Sequence, residues 1–397
     1  YSFGLNTDGL PSRRSPIPFD AIGQFQAKVA PYDVREGNFQ GGAINVVLRS
    51  GTNKFQGTGF FAYSSDGLQG TQTGSLTVAV PAYKYRNFGA ELSGPIIKDK
   101  LFFMVAAERL RASKPLTEGP VDNNSGAAIA GLNQADVDLV TSIAKSKYGY
   151  DTGGVLKLNG DKDDRLVAKL DWNISSQHRA SLTYTYAKDQ IYNNGSSTFL
   201  TAPTGLSLAS NSYIQGNKLK TWVAQLNSEW TSNFSTEARG FIKNYVRLQD
   251  PLLGRGFAEF DVCTAPTSDR PATLISGNTT SISCNTAFST VAFGPDISRQ
   301  TNQLNVKTWG GLLQGRLKLG DHDFKLFAEM QNAKTFNAFV QRSSGQYYFD
   351  SIADFQAGNA QRFRYQTNPI TLNANDSAAA FTYQSYVFGL QDHWRAT

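Results

Sequence analysis

Apolar side chains recur at every second position in ten stretches of this chain, and the connections between those stretches alternate short and long. The clearest stretch runs Leu166, Ala168, Leu170 and Trp172 against Val167, Lys169 and Asp171. A turn from Asn173 to His178 leads back through Ala180, Leu182, Tyr184 and Tyr186. A repeat of two predicts β-strands with one greasy and one polar face. The same pattern covers 55–64, 83–93, 101–111, 218–230, 236–249, 300–319, 324–330 and 381–395. Soluble sheets have no reason to alternate short and long connections. A barrel in an outer membrane has one, since its turns face one side and its loops the other. The long connections fall at 64–82, 112–163, 188–217, 250–299 and 337–380.

The predicted fold class is therefore all-β: a transmembrane antiparallel β-barrel over residues 53–397, with residues 1–52 as a separate leading unit. That leader is rich in Pro and turn residues, carries mixed charge, and embeds two strands, 22–29 and 43–48. One helix is predicted in the loop after the third barrel strand. Asn133 would cap it, Val137, Val140, Ile143 and Ala144 form its stripe, and Gly149 ends it.

Three tryptophans, Trp172, Trp230 and Trp394, fall where a strand reaches its short-turn end. An apolar ring whose N–H needs a wet partner belongs at a membrane boundary, so these are read as a periplasmic girdle.

Composition is consistent with this reading. Mean hydropathy is -0.35 and the longest apolar run, 101–107, is far below the roughly 18 residues of a spanning helix, whereas a barrel strand needs only about 9 to 11. The net charge of +6 is spread along the chain without a Lys/Arg block, which argues against nucleic acid. A basic exterior would meet acidic lipopolysaccharide or simply be solvated. Cys263 and Cys284 share one polar connection and read as a disulfide worth roughly 3 kcal/mol, with two free thiols as the other reading.

Signs of catalysis are weak. His178, His322 and His393 lie at turns and strand ends with no nucleophile in a productive spacing, and no phosphate-binding glycine motif separates a strand from a helix. Asn159–Asp164 clusters carboxylates that would suit calcium, but the spacing is not that of an EF-hand and Lys162 competes, so it reads as a solvated loop. No enzyme activity, cofactor or metal is expected.

The run from Gly41 to Gly57, Gly-Gly-Ala-Ile-Asn-Val-Val-Leu-Arg-Ser-Gly-Thr-Asn-Lys-Phe-Gln-Gly, resembles the end of the plug and start of the barrel in TonB-dependent outer-membrane receptors. Phe3-Gly4-Leu5-Asn6, Arg14-Ser15-Pro16-Ile17 with Asp20-Ala21-Ile22, Ala30 to Arg35 and Phe88 to Pro95 before Leu101-Phe102-Phe103 are similar to the Oar-like branch. Gln134 to Val137 and Tyr148 to Asp151 continue that likeness. Leu48-Arg49 stands where the family often has Thr-Lys, which keeps the cation.

The resemblance implies a plug in 1–52, a TonB-type periplasmic partner that engages a segment absent from this stretch, and an outer-membrane location in a Gram-negative bacterium. Transporter barrels with a plugged lumen have about 22 strands. Ten would be about the first half, and an open edge in lipid would be costly, so the chain is expected to be part of a larger protein. Plug cations Arg35 and Arg49 are expected to meet wall carboxylates Glu91, Glu108 or Glu229, because a charge sealed from water needs a partner. The implied function is energised uptake or translocation of a large substrate. The other readings are a non-transporting adhesin or scaffold and a secreted sugar-binding sandwich.

Overall fold

A computed structural model describes residues 6–7, 10–11, 15–28, 33–34, 43–78, 80, 82–115, 118–123, 127–129, 131–156, 158–195, 205–264 and 290–395. After a two-residue ladder of Asn6–Thr7 with Leu10–Pro11 come two short strands, β1 (Ile22–Lys28) and β2 (Ala43–Leu48), paired antiparallel with a bulge after Ile22. A ten-stranded antiparallel sheet follows. Its strands are β3 (Gln56–Ser65), β4 (Lys84–Ile97), β5 (Leu101–Pro115), β6 (Leu158–Asn173) and β7 (His178–Asn193). After β8 (Gly205–Ser207), which lies elsewhere, come β9 (Tyr213–Glu229) and β10 (Phe234–Pro251). Two further short strands, β11 (Glu259–Cys263) and β12 (Thr290–Phe293), precede β13 (Thr301–Leu319) and β14 (His322–Val340). Then β15 (Gln346–Phe349) and β16 (Arg362–Arg364) lead to β17 (Ala379–Trp394). Each long strand pairs with its chain neighbours in an unbroken meander from β3 to β17.

All ten predicted strands are present, and most run further toward the long loops than the alternation alone suggests. Asn159–Asp164 is a correction. It lies in β6 rather than in a loop, with Asp163 paired to Leu110 on one side and Asp189 on the other. The carboxylates hide the strand because, beyond the lipid, both faces of a strand tolerate charge. Among the described residues no group of three or more His, Cys, Asp or Glu is placed to hold a metal.

The sheet is inside out. Val105, Leu170, Trp172, Leu182, Trp222, Leu226, Ile242, Trp309, Leu313, Leu326, Phe388 and Leu390 are exposed, while Glu91, Glu108, Asp163, Thr183, Thr185, Thr221 and Thr308 are buried. A water-soluble sheet does the reverse, because exposing apolar area costs roughly 25 cal/mol per Å² in water. In hydrocarbon that cost vanishes.

The aromatic rows set the scale. Trp222 and Trp230 stand eight residues apart around β9, which is about 26 Å along the chain at about 3.3 Å per residue. A tilt of about 40° shortens this to roughly 20 Å across the membrane, close to the ~25 Å apolar band of outer-membrane barrels. Trp309 aligns with Trp222 through Ile242. Trp172, Trp230 and Trp394 are exposed at the short-turn end, where Trp230 Nε1 donates to Thr236 Oγ1 at 2.9 Å and Trp394 stacks on His322 at 5.7 Å.

The helix α1 (Gln134–Tyr148) buries Val137, Val140, Ile143 and Ala144, and Gly149 closes it at φ +65°. Asn133 occupies the cap position without bonding through its side chain. Asp122 instead accepts from the Gln134 N–H at 2.8 Å. A second helix, α2 (Ile352–Ala357), is capped by Ser351.

Candidate functional site: a seated N-terminal segment and a loop cap

Two features stand out against the sheet. The first is the N-terminal segment, which lies on its buried face. Ile17 and Ala21 meet Met104 and Ala106 of β5 and Val167 of β6, with Ile22, Val46 and Leu48 alongside. Polar bonds do the rest. Glu108, 6% exposed, accepts from the Phe19 N–H at 2.8 Å and from Asn87 Nδ2 at 3.0 Å, and pairs with Arg165 at 3.4 Å. Arg165 also pairs with Asp163. Lys169 Nζ donates to Ser50 Oγ at 2.6 Å. At the far side of the sheet Lys325 Nζ holds Asp33 at 2.6 Å, and the Val34 N–H donates to Gln391 Oε1 at 3.2 Å. The segment thus touches both flanks of the ten-stranded sheet.

Among the described residues, Glu108 is the predicted charge candidate that joins the segment to the wall. Arg49 is a correction. Its Nε donates to the Ile22 carbonyl at 3.3 Å and its N–H to the Ala21 carbonyl at 2.9 Å, so it braces its own segment. Glu91 is buried on the inner face, 4% exposed, and its Oε1 has no partner among the described residues. Glu229 sits exposed at a short-turn end, remote in the sheet register from Glu91. Arg35 and Cys284 lie outside the described residues. Cys263, the expected partner of Cys284, is buried at the end of β11. Sequence reasoning put the cation on the segment and the acid on the wall. The Lys325–Asp33 and Lys169–Ser50 contacts have the reverse polarity, and nothing local announces a bond across 292 residues.

The second feature is a cap built from the long loops. Its five-stranded sheet runs β8-β12-β11-β15-β16, drawing strands from three different connections. The β8–β12 and β11–β15 pairings are parallel. Helix α1 joins from a fourth connection, where Lys147 Nζ donates to the Gln356 carbonyl at 2.6 Å and Tyr148 Oη to the Phe355 carbonyl at 2.8 Å. The cap has its own hydrophobic core, including Leu132, Val140, Leu208, Phe260, Val262, Phe293 and Phe355.

Carboxylates lie inside that core. Glu259 accepts from Asn211 Nδ2 at 3.0 Å, the Ile297 N–H at 2.9 Å and Gln346 Nε2 at 2.8 Å. Burial, reinforced by Asp261 and Asp296, pushes its carboxyl well above the usual range. Burial likewise pushes Asp261 up to about 7, against the Gln346 donor and the nearby positive charges of Arg362 and Arg342. On the cationic side, burial and Arg364 draw Arg362 down to about 10.

Because the folded cap holds protons that the unfolded chain releases, its stability should be highest below about pH 4 and fall as pH rises toward 7. Hydrogen exchange of cap amides at fixed ionic strength across that window should quicken as pH rises, beyond the intrinsic chemistry, and Asp261→Asn should flatten the trend. A cap that tightens toward pH 7 would contradict this account of the core.

Comparison with known proteins agrees with this geometry. A family model described as an outer membrane beta barrel domain matches residues 47–121. Over 108 residues, 26% of this chain, the sequence is 34% identical to the TonB-dependent transporter Oar of Myxococcus xanthus, of which those residues are 10%. The fold is similar to that of the outer membrane transporter YddB from Escherichia coli, with a TM-score of 0.57, 12% identity, and coverage of 94% of this chain and 42% of the other. The chain is therefore similar to TonB-dependent outer-membrane transporters, and its fold is that of an outer-membrane β-barrel wall. The chain lies in the outer membrane of a Gram-negative bacterium, and the relatives it matches are transporters. It spans less than half of the solved transporter and a tenth of the curated relative.

Proposed function

We propose that this chain is the plug-bearing part of a TonB-dependent transporter that moves a large substrate across the outer membrane, with force supplied by a TonB-type periplasmic protein. In this reading residues 1–52 are the C-terminal part of the plug and 53–397 the barrel wall and its loops. The observation that carries it is the seating of the N-terminal segment. Its links to the wall, Phe19–Glu108, Ser50–Lys169 and Asp33–Lys325, are mostly polar, and only a small apolar contact backs them. Polar contacts exchange readily with water when a segment is pulled aside, because the net value of each is only about 0.5–3 kcal/mol. A large greasy interface would resist.

The test needs no knowledge of cargo. In cells carrying the full-length protein, Ser50→Cys should react faster with an impermeant maleimide when the proton gradient is present than when it is collapsed. Equal labelling in both states would overturn the transport reading. It would favour a fixed plug beneath an adhesive surface, a role suited to the exposed Phe363, Tyr365, Ile370 and Leu372 beside the cap.

A further inference from the structure

The five-stranded cap sheet ends at β16, which pairs antiparallel with β15 on one side and has no described neighbour on the other. Arg362 is partly buried while Phe363, Arg364 and Tyr365 are exposed, so no described segment covers this edge. Half of the backbone groups of an edge strand face away from its sheet and are open to a further strand. The two faces of β16 differ. Phe363 meets Tyr347 at 4.6 Å and stacks on Tyr365 at 6.2 Å, and Tyr347 lies 5.1 Å from Phe260. An aromatic row thus runs from the cap core out to the edge.

The opposite face is cationic. Arg362 and Arg364 stand two residues apart, and Gln346, opposite Arg364, accepts from Arg342 Nε at 2.8 Å. Burial and then the charge of Arg364 draw both Arg342 and Arg362 down, which places three guanidiniums within reach of one another's field. The acids behind them, Glu259, Asp261 and Asp296, are buried in the core, and burial favours the protonated, uncharged form of Glu259. From Phe355 to Asn375 the chain carries Arg362 and Arg364 and neither acid nor lysine. The edge is therefore positive as well as open.

We propose that β16 is a docking edge for an extended acidic segment of a partner protein. The segment adds as a sixth strand, with acids at alternate positions against Arg362 and Arg364 and apolar side chains against Phe363 and Tyr365. Strand addition draws affinity from main-chain bonds and specificity from alternate side chains, and arginine adds paired donors for a carboxylate. A second copy of this chain is a poor occupant. Pairing two such edges sets arginine against arginine, and like charges directly opposite one another destabilise a sheet. A bare polyanion matches only one of the two faces. The proposal is independent of the transport reading, because it uses the cap edge and not the seat of the N-terminal segment.

The test uses full-length protein in phospholipid nanodiscs and two synthetic peptides of one composition, with Glu and Val either alternating or in blocks. By fluorescence anisotropy the alternating peptide should bind at least tenfold more tightly than the block peptide. Its binding should slow amide exchange over 361–366 at least tenfold. Arg364→Glu should weaken that binding at least tenfold, and should take up an alternating Lys and Val peptide better than wild type does. Lys145→Glu, at an exposed position of α1, should bind the Glu and Val peptide within twofold of wild type.

Failure of the alternating peptide to bind, or equal affinity for the two arrangements, overturns the proposal. So does binding that leaves exchange over 361–366 unchanged. An edge already protected from exchange in the full-length protein and indifferent to peptide also overturns it, since another part of the same chain then occupies the site. If limited proteolysis shows that the cap of Arg364→Glu has not folded, Tyr365→Thr is judged by the same tenfold loss.

Discussion

Phe260→Ala should melt the cap while leaving the lipid-facing sheet standing. Phe260 is the hub of the cap core, with ring centroids of Tyr148, Phe257, Phe293, Tyr347, Phe349 and Phe355 between 5.1 and 6.1 Å away. Truncating a buried phenylalanine costs about 3–5 kcal/mol, through lost transfer energy and the cavity left behind. The cap is a small core, and a domain's net stability is only about 5–15 kcal/mol. Limited proteolysis of the folded protein should then release cuts within 205–264 and 290–364, with heat-dependent gel mobility of the barrel unchanged. Protease resistance equal to wild type would mean that the cap draws its stability from the sheet and not from this core.

Glu108→Ala should loosen the seat of the N-terminal segment. Removing one partner of a buried ion pair costs about 3–5 kcal/mol, chiefly because the surviving charge is stranded. Here the stranded group is Arg165, and the Phe19 N–H and Asn87 Nδ2 lose their acceptor too. Asp163 retains part of the Arg165 interaction, so the loss should fall toward the lower figure. Amide exchange over 15–28 and 43–50 should accelerate by at least tenfold, whereas Glu108→Gln, which still accepts hydrogen bonds, should fall between. Arg49→Ala should be milder at the wall, since Arg49 bonds within its own segment. Unchanged exchange in Glu108→Ala would show that the apolar contact of Ile17 and Ala21 suffices.

The ten long strands were legible because a membrane imposes a strict repeat of two on both faces at once. Helix α1 was legible for a similar reason, since its stripe of Val137, Val140, Ile143 and Ala144 has one use only. The cap was not. Its strands are three to five residues long and hold buried polar residues, Glu259 and Asp261 among them, so they read as solvated loop. Its parallel pairings join segments that no local rule connects. The seat of the N-terminal segment was half legible: Glu108 was named, but its partner is a backbone N–H, which leaves no mark in the sequence.

The woven cap also imposes an order on assembly. Strands β8, β11–β12 and β15–β16 come from three connections separated by pairs of long strands, and each connection must cross the bilayer before the parallel pairings between them can form. A single connection can bring at most a pair of cap strands, β11 with β12 or β15 with β16, and the parallel pairings that join these pairs to each other and to β8 wait for the others. The surface structure therefore closes last, and a partly inserted protein would present bare loops to the outside, open to any protease that patrols the cell surface.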